Sequence, residues 1–451
     1  MTDRPDPGRR VLAAVVAIVL GLALTWQVAA GSFAAYLADK DPSSALLLSP
    51  GQSDALLNLA DEMLGQKRGG LPGSQAPAQA SPGVQALGDQ IRLKGLAAPM
   101  LPADLAPDRR EQIRQFATAA MRANPLSARA LRILGQIGRS DEDTRKFMRL
   151  AVARSRHEPL AVYWLLQDAV LRDDHANAVA YADIFLRSQP QLYQYVAPAL
   201  ARVAESAGGA AAVKTALAGN PPWRRLFFAT LPASVTDART PLNLMVDMQE
   251  HGLPPTTEEL KFYLSFLVER KLFDLARYAW LQLLAPESLG SAGLLFNGRF
   301  ALQPSGLLFD WTIEGGEGAQ FELVEKLDAP AQHALSVQFV PGRMEKSGIV
   351  QVLVLAPGPY RLQGSFKGRI DARRGLRWRM ACYERPDNPI VESQAFIGNV
   401  ADWTPFALAF SVPPAGCKAQ RLRLEIDARS ESEHIISGAA WFADLAIAAA
   451  K

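Results

Sequence analysis

The side chains best suited to chemistry in this 451-residue chain are arginines that alternate with apolar residues in its last third. Arg361 and Lys367 alternate with Tyr360, Leu362 and Phe366. Arg377 and Arg379 alternate with Leu376, Trp378 and Met380, and Arg421 and Arg423 with Leu422 and Leu424. A period of two marks half-buried strands, so these cations point away from a core. On neighbouring strands they would form a guanidinium-rich face able to fork onto the carboxylates of an acidic polysaccharide. Tyr383, on the same polar parity, and Trp403, just before Pro405, are the rings on which a sugar could stack. The same pattern, with Glu425 and Asp427 interspersed, also describes an ordinary solvated sheet face. Strand order separates the two readings.

Other chemistries find little support. The five histidines, at 157, 175, 251, 333 and 434, have no metal-ligand spacing, and no G-x-S-x-G, P-loop or H-E-x-x-H run occurs. Glycoside hydrolysis needs only two carboxylates a few ångströms apart. Glu314, Glu317, Glu322 and Glu325 are candidates, but their Gly-rich surroundings read as a turn and a strand edge. The expectation is a protein without catalysis. Trp311, Trp378 and Trp441 read as core residues. A formal charge of +3 gives no field of the kind that nucleic-acid binding needs. The two cysteines, Cys382 and Cys417, read as one disulfide in an exported chain, with two buried thiols as the alternative.

These residues need elements to hold them. From Phe296 onward, strands of six to nine residues alternate with turns such as Pro357 to Pro359 and Pro413 to Gly416. Roughly nine strands predict an antiparallel β-sandwich over 291–451, of jelly-roll type. Between Pro107 and Pro286 the periodicity is helical, in short pieces punctuated by proline. His175 falls in a turn between two of these pieces, and Asp141 reads as the cap of another. Prolines 125, 159, 190 and 221 are spaced by 34, 31 and 31 residues, the period of an α-solenoid built from helix pairs.

The stretch from Asn124 to Gly135, with Leu134-Gly135, Ala151 and a unit-ending Pro159, resembles a tetratricopeptide repeat. Gly138 stands where that family places an aromatic, and Gln167 where the second Leu-Gly pair would begin. Two units span 124–190, with weaker copies at Asp41–Leu64 and Thr257–Leu284. The resemblance implies a protein-binding scaffold over 111–290.

The last third resembles the jelly-roll carbohydrate-binding modules. Asn297, Gly298 and Phe300 open it, Phe309-Asp310-Trp311 follows, and Trp441-Phe442 with Asp444-Leu445 closes it. That family often holds a structural calcium. Arg299 and Ala301 replace its acidic positions here, which leaves Asp444 as the one candidate ligand; no other cofactor is implied.

At the N-terminus, Arg4, Arg9 and Arg10 precede an apolar run over 11–30, about the length that spans a hydrocarbon core of roughly 30 Å. The arginines put residues 1–10 in the cytoplasm and the rest outside, with Trp26 near the outer interface. Val28-Ala29-Ala30 also resembles a signal-peptidase site, so a cleaved signal is the rival reading. Either way the body of the chain is exported. Residues 40–110 read as one helix followed by a Pro/Gly-rich linker.

The whole predicts a multidomain α plus β protein of the bacterial inner membrane with its bulk in the periplasm. The reading is a non-catalytic scaffold whose repeats bind a cell-envelope protein and whose sandwich binds a glycan. The layout is similar to that of anchored repeat proteins of exopolysaccharide synthesis and export. A pure protein-interaction adaptor and a divergent glycan-active enzyme are the alternatives.

Overall fold

The computed structural model describes residues 7–65, 105–314, 318–325, 332–340, 344 and 348–450. Arg4, Glu317 and the Pro/Gly-rich stretch over 66–104 lie outside the described residues. Two compact units divide the chain, Met1–Phe227 and Phe228–Lys451.

The first unit is helical. Helix α1 (Pro7–Ala38) contains one segment, Ala14–Ala38, long and apolar enough to be a membrane span or a signal sequence. Its last turns belong to the fold. Ala34 and Ala38 pack with Ala45 of α2 (Pro42–Leu48) and Ala55 of α3 (Ser53–Met63). Small side chains let three helices approach closely, and Asn58 Nδ2 donates to the Ala38 carbonyl at 2.6 Å. Helix α4 (Pro107–Ala123) then lays Ile113, Ala117 and Ala120 against Leu56, Leu57 and Ala60 of α3.

Helices α5 (Ala128–Gln136), α6 (Asp141–Arg154), α7 (Pro159–Leu171) and α8 (His175–Ser188) follow, each packed on its predecessor. Ser127, Ser140 and Asp174 cap α5, α6 and α8 through side-chain oxygens that accept from backbone N–H groups. Ser140 thus takes the capping role expected of Asp141, which instead joins Glu142 and Asp143 in the first turn, where acidic groups suit the helix dipole. His175 is the first residue of α8 rather than part of the turn. Helices α9 (Tyr193–Glu205), α10 (Gly209–Ala218) and α11 (Arg224–Ser234) complete the run.

One polar cluster ties these layers together. Arg132, 2% exposed, donates from Nη2 to Asp61 at 2.8 Å, and its Nε lies 2.8 Å from Glu158. Arg129 joins Asp61 and Asn58 at 2.8 and 2.7 Å. Burial pushes the Glu158 carboxyl upward, against the pull of Arg132. A buried guanidinium needs such partners, because an unpaired charge there is strongly destabilising.

The division between the units falls within α11, and the second unit continues with α12 (Thr240–Glu250), α13 (Thr257–Glu269) and α14 (Phe273–Gln282). A reciprocal capping box between Thr256 and Glu259 starts α13. Among the described residues ten strands follow in two five-stranded antiparallel sheets, ordered β1-β4-β9-β6-β7 and β2-β3-β10-β5-β8. The first sheet holds β1 (Thr312–Glu314), β4 (Gly348–Leu353), β6 (Leu376–Cys382), β7 (Pro389–Glu392) and β9 (Gln420–Ile426). The second holds β2 (Ala319–Glu325), β3 (His333–Phe339), β5 (Gly358–Ala372), β8 (Gly398–Val412) and β10 (Ile436–Ala449). The chain changes sheet repeatedly, as a jelly roll does. Trp311 and Trp378, both fully buried, meet Phe366, Phe396 and Phe442 in one aromatic core between the sheets. Cys382 and Cys417 form a disulfide that ties the end of β6 to the approach to β9.

The residues Asn297 to Phe300, expected to open the domain as a strand, form an irregular turn instead. Asn297 and Phe300 both take positive φ, 47° and 57°, which a strand excludes. Asn297 is a clasp: its side chain accepts from Leu302 N at 3.1 Å and donates to Leu302 O at 2.7 Å. Its carbonyl accepts from the Trp311 indole at 3.0 Å.

Candidate glycan-binding faces of the sandwich

The outer face of the first sheet carries Arg377, Arg379, Arg421 and Arg423 on neighbouring strands β6 and β9. The register sets Arg379 directly opposite Arg423, a repulsive pairing that needs carboxylates on either side. They are present. Glu314 on β1 takes both Arg421 and Arg423, the latter at 3.0 Å. Glu425 lies 2.9 Å from Arg423 and 2.8 Å from Arg379, and Glu392 on β7 lies 2.6 Å from Arg379. Arg377 reaches Asp427 at 3.0 Å, and Arg374 continues the chain to Asp427 and Glu433. Cations and carboxylates alternate across the sheet as a neutral lattice. The expected positive surface is therefore charge-balanced, because β1 brings in Glu314 from distant sequence and the next strand, β7, brings in Glu392.

The remaining candidates lie elsewhere. Arg361 is exposed on β5, in the other sheet. Tyr383 is half-buried, its ring edge-on to Phe273 of α14 at 5.4 Å, beside a Lys271–Glu384 ion pair at 2.9 Å. Asp444 sits at a bulge in β10 with a φ of 54°, where Leu445 N turns to the Gly298 carbonyl. Among the described residues no group of three or more His, Cys, Asp or Glu side chains is placed to hold a metal.

The second sheet presents a different outer face. Phe366 and Phe442 point into the core, so their neighbours Lys367 and Trp441 point out, and the register pairs them. Trp441, expected in the core, is half-buried on this outer side. Next to it on β3 is Ser336, whose buried hydroxyl has no hydrogen-bond partner, and beyond that Glu322 on β2. On the far side β8 pairs Thr404 with Phe366 and Val400 with Gly368, which leaves residues 401–403 bulged opposite Lys367. Half-buried Trp403 lies in that bulge. One cross-strand row therefore runs Lys367, Trp441, Ser336, Glu322, with the bulge that contains Trp403 at its β8 end. The two tryptophans are two strands apart, about 10 Å at the usual interstrand spacing. The adjacent row is polar, with Asn399, Arg369, Gln338 and Gln320 around the small Ala439.

This row brings together aromatic surface, a cation and amide hydrogen-bonding groups. That set matches the apolar faces, carboxylates and hydroxyls of an acidic sugar. Sequence reasoning placed Lys367 and Trp403 on polar surface but missed Trp441, Arg369, Gln338 and Ser336.

The second unit also contains a cavity of about 520 Å³, lined by Leu260, Trp280, Leu283, Phe296, Leu307 and Asp310 among others. Burial pushes the Asp310 carboxyl upward, although it accepts from Ser305 N, Ser305 Oγ and Trp311 N at 2.7–2.8 Å. Those three bonds give it a structural task in the loop.

No family model matches the chain, and no curated protein matches it. Among solved structures, it is similar to a family 4 carbohydrate-binding module, at 13% identity over 35% of this chain and 99% of that one, with a TM-score of 0.27. A family 16 module matches at 16% identity over 35% of this chain and 99% of its own, with a TM-score of 0.25. The xylan-binding domain of Xyn10C from Paenibacillus barcinonensis matches at 14% identity over 31% and 86%, with a TM-score of 0.22. Likeness at this level carries no argument by itself, and the two-sheet architecture rests on the strand register.

Proposed function

We propose that this chain is a non-catalytic scaffold anchored in the bacterial inner membrane, with both units in the periplasm. Its sandwich holds an acidic polysaccharide and its helical repeats hold a protein partner, in the synthesis or export of that polymer. The carrying observation is the Lys367–Trp441 row, with Trp403 in the bulge at its end and its polar flank, the one arrangement described here that suits a sugar chain.

The retained anchor is supported by the continuity of α1. Cleavage after Ala30 would cut inside a helix whose Ala34 and Ala38 are already buried in the first unit. The tetratricopeptide character is supported by Gly135, where a Cβ would come within 3.3 Å of Phe147 and Met148 on α6. At Gly138 a Cβ would lie 2.6 Å from Thr144 Oγ1, so the aromatic usual in that family has no room.

A glycan array probed with the full chain in nanodiscs tests the reading. Acidic polymers should bind, and Trp403→Ala with Trp441→Ala should weaken them about tenfold or more, from two lost stacking contacts. Arg377→Ala with Arg379→Ala should leave binding unchanged, since those guanidiniums are already paired. Failure of every acidic polymer to bind, or binding indifferent to the tryptophans, overturns the proposal in favour of a protein-only adaptor.

A further inference from the structure

Every described side chain of α1 from Leu12 to Ala29 is exposed, and cover begins at Ala30 and Gly31, which are half-buried. That bare stretch of eighteen residues is about 27 Å long, close to the hydrocarbon thickness of a bilayer. Residue 30 therefore marks the level at which the helical unit meets the membrane surface.

Three elements return to that level. Helix α2 folds back along α1, with Ala45 against Ala34 and Ala38, so it descends toward residue 30. Helix α3 rises again, Ala55 in the cluster with Ala34 and Asn58 bonded to the Ala38 carbonyl. The turn over 49–52 thus lies one helical turn below Ala55, at the edge from which α1 emerges. Helix α4 comes down antiparallel to α3, with Ser53 Oγ 3.5 Å from the Ala120 carbonyl, and its turn over 124–127 reaches the same edge.

This edge is apolar where it should be wet. Leu47, near the end of α2, is 86% exposed and Leu126, in the turn between α4 and α5, 67%, with Leu48 and Pro50 also exposed. Exposed Arg122 ends α4 beside them. The same edge also carries exposed Asp54 in the first turn of α3, and the opposite edge is fully polar, with Asp39, Lys40, Asp41, Arg139, Asp141 and Glu142. Scattered single leucines need no explanation. Leucines gathered at the foot of a membrane helix do.

We propose that this edge is a second membrane contact. Leu47, Leu48 and Leu126 enter the interfacial zone of the bilayer that α1 crosses, and Arg122 meets its headgroups, so the first helical layers stand on the membrane in a fixed orientation. This rests on the reading of α1 as a retained membrane helix.

Both native cysteines are consumed by the disulfide, so an introduced thiol is unique. Bimane-labelled Leu47→Cys, Leu126→Cys, Arg139→Cys and Val19→Cys chains are placed in nanodiscs of phosphatidylcholine brominated high on the acyl chain. The labels at 47 and 126 should be quenched several-fold more than the label at 139, and the label at 19 should be quenched too. Quenching at 19 with none at 47 and 126 overturns the proposal and leaves the anchor standing. Absence of quenching at all four positions overturns both. Self-quenching between chains at 47 or 126, without bromine quenching, assigns the edge to a second copy and likewise defeats the proposal.

Discussion

Arg379 touches both Glu392 and Glu425 and is about one-third exposed, so neither partner is fully desolvated. Ion pairs in that environment contribute little individually; Arg379→Met should lower stability by no more than about 1 kcal/mol in urea unfolding. Arg132 is the contrasting case. At 2% exposure it neutralises Asp61 and Glu158 together, and Arg132→Met would leave buried carboxylates short of a cation. A loss of about 3–5 kcal/mol is expected, read from thermal unfolding of the first unit. Asp310 carries a pH signature. Its folded carboxyl is raised by burial, so the native state holds its proton more tightly than the unfolded chain. Wild-type stability should therefore fall as pH rises through the window just above the ordinary carboxylate value of about 4. Asp310→Asn should flatten that segment of the stability–pH curve, whatever its uniform effect. At this scale the positions of the arginines were legible from alternation, but their partners were not. Glu314 stands on a strand remote in sequence and Glu392 on the short strand that follows β6, and only pairing order shows that both meet the arginines. Trp441 was misread for a definite reason. Leu445 is core and lies four residues on, so an unbroken strand would put both on one face, but the bulge between Ala443 and Ala446 reverses the parity.

At the scale of elements, strands β6 and β9 form the centre of the first sheet and are stapled at one end by Cys382–Cys417. Closing a 35-residue loop should contribute roughly 3–4 kcal/mol on the chain-entropy estimate. The Cys382→Ala, Cys417→Ala double variant should show correspondingly faster hydrogen exchange at β6 and β9 amides, with the helical unit unaffected. Strand alternation and proline punctuation made most helices and strands readable, since each buries one face. The Asn297 turn was not readable from period, because its shape comes from a side-chain clasp on Leu302 and from two positive φ values. Strand β8 shows how an edge is managed. Its outward Pro405 and small Ala407 and Ala409 blunt further pairing, while its bulge places Trp403 opposite the Lys367 position.

At the scale of the whole molecule, the proposed scaffold has a long apolar helix whose end is packed into a helical unit, and a β-sandwich beyond it. No hydrolysis is expected of any polymer the sandwich binds. Release of reducing ends in proportion to protein, lost with a carboxylate substitution near the cavity at Asp310, would favour the enzyme alternative. The long apolar helix was legible from the first thirty residues because a bilayer imposes length and apolarity on whatever crosses it. The fixed seat of α1 was hidden, because the alanines that pack it carry no periodic signature apart from the membrane segment itself. Everything proposed for the sheet faces presumes that they lie where envelope polysaccharide is found. Alkaline phosphatase fused after Lys451 in a Gram-negative host measures this directly. The account predicts an active, membrane-sedimenting phosphatase, with the same fusion to a cytoplasm-only fluorescent reporter dark. An inactive phosphatase with a bright cytoplasmic reporter would contradict it.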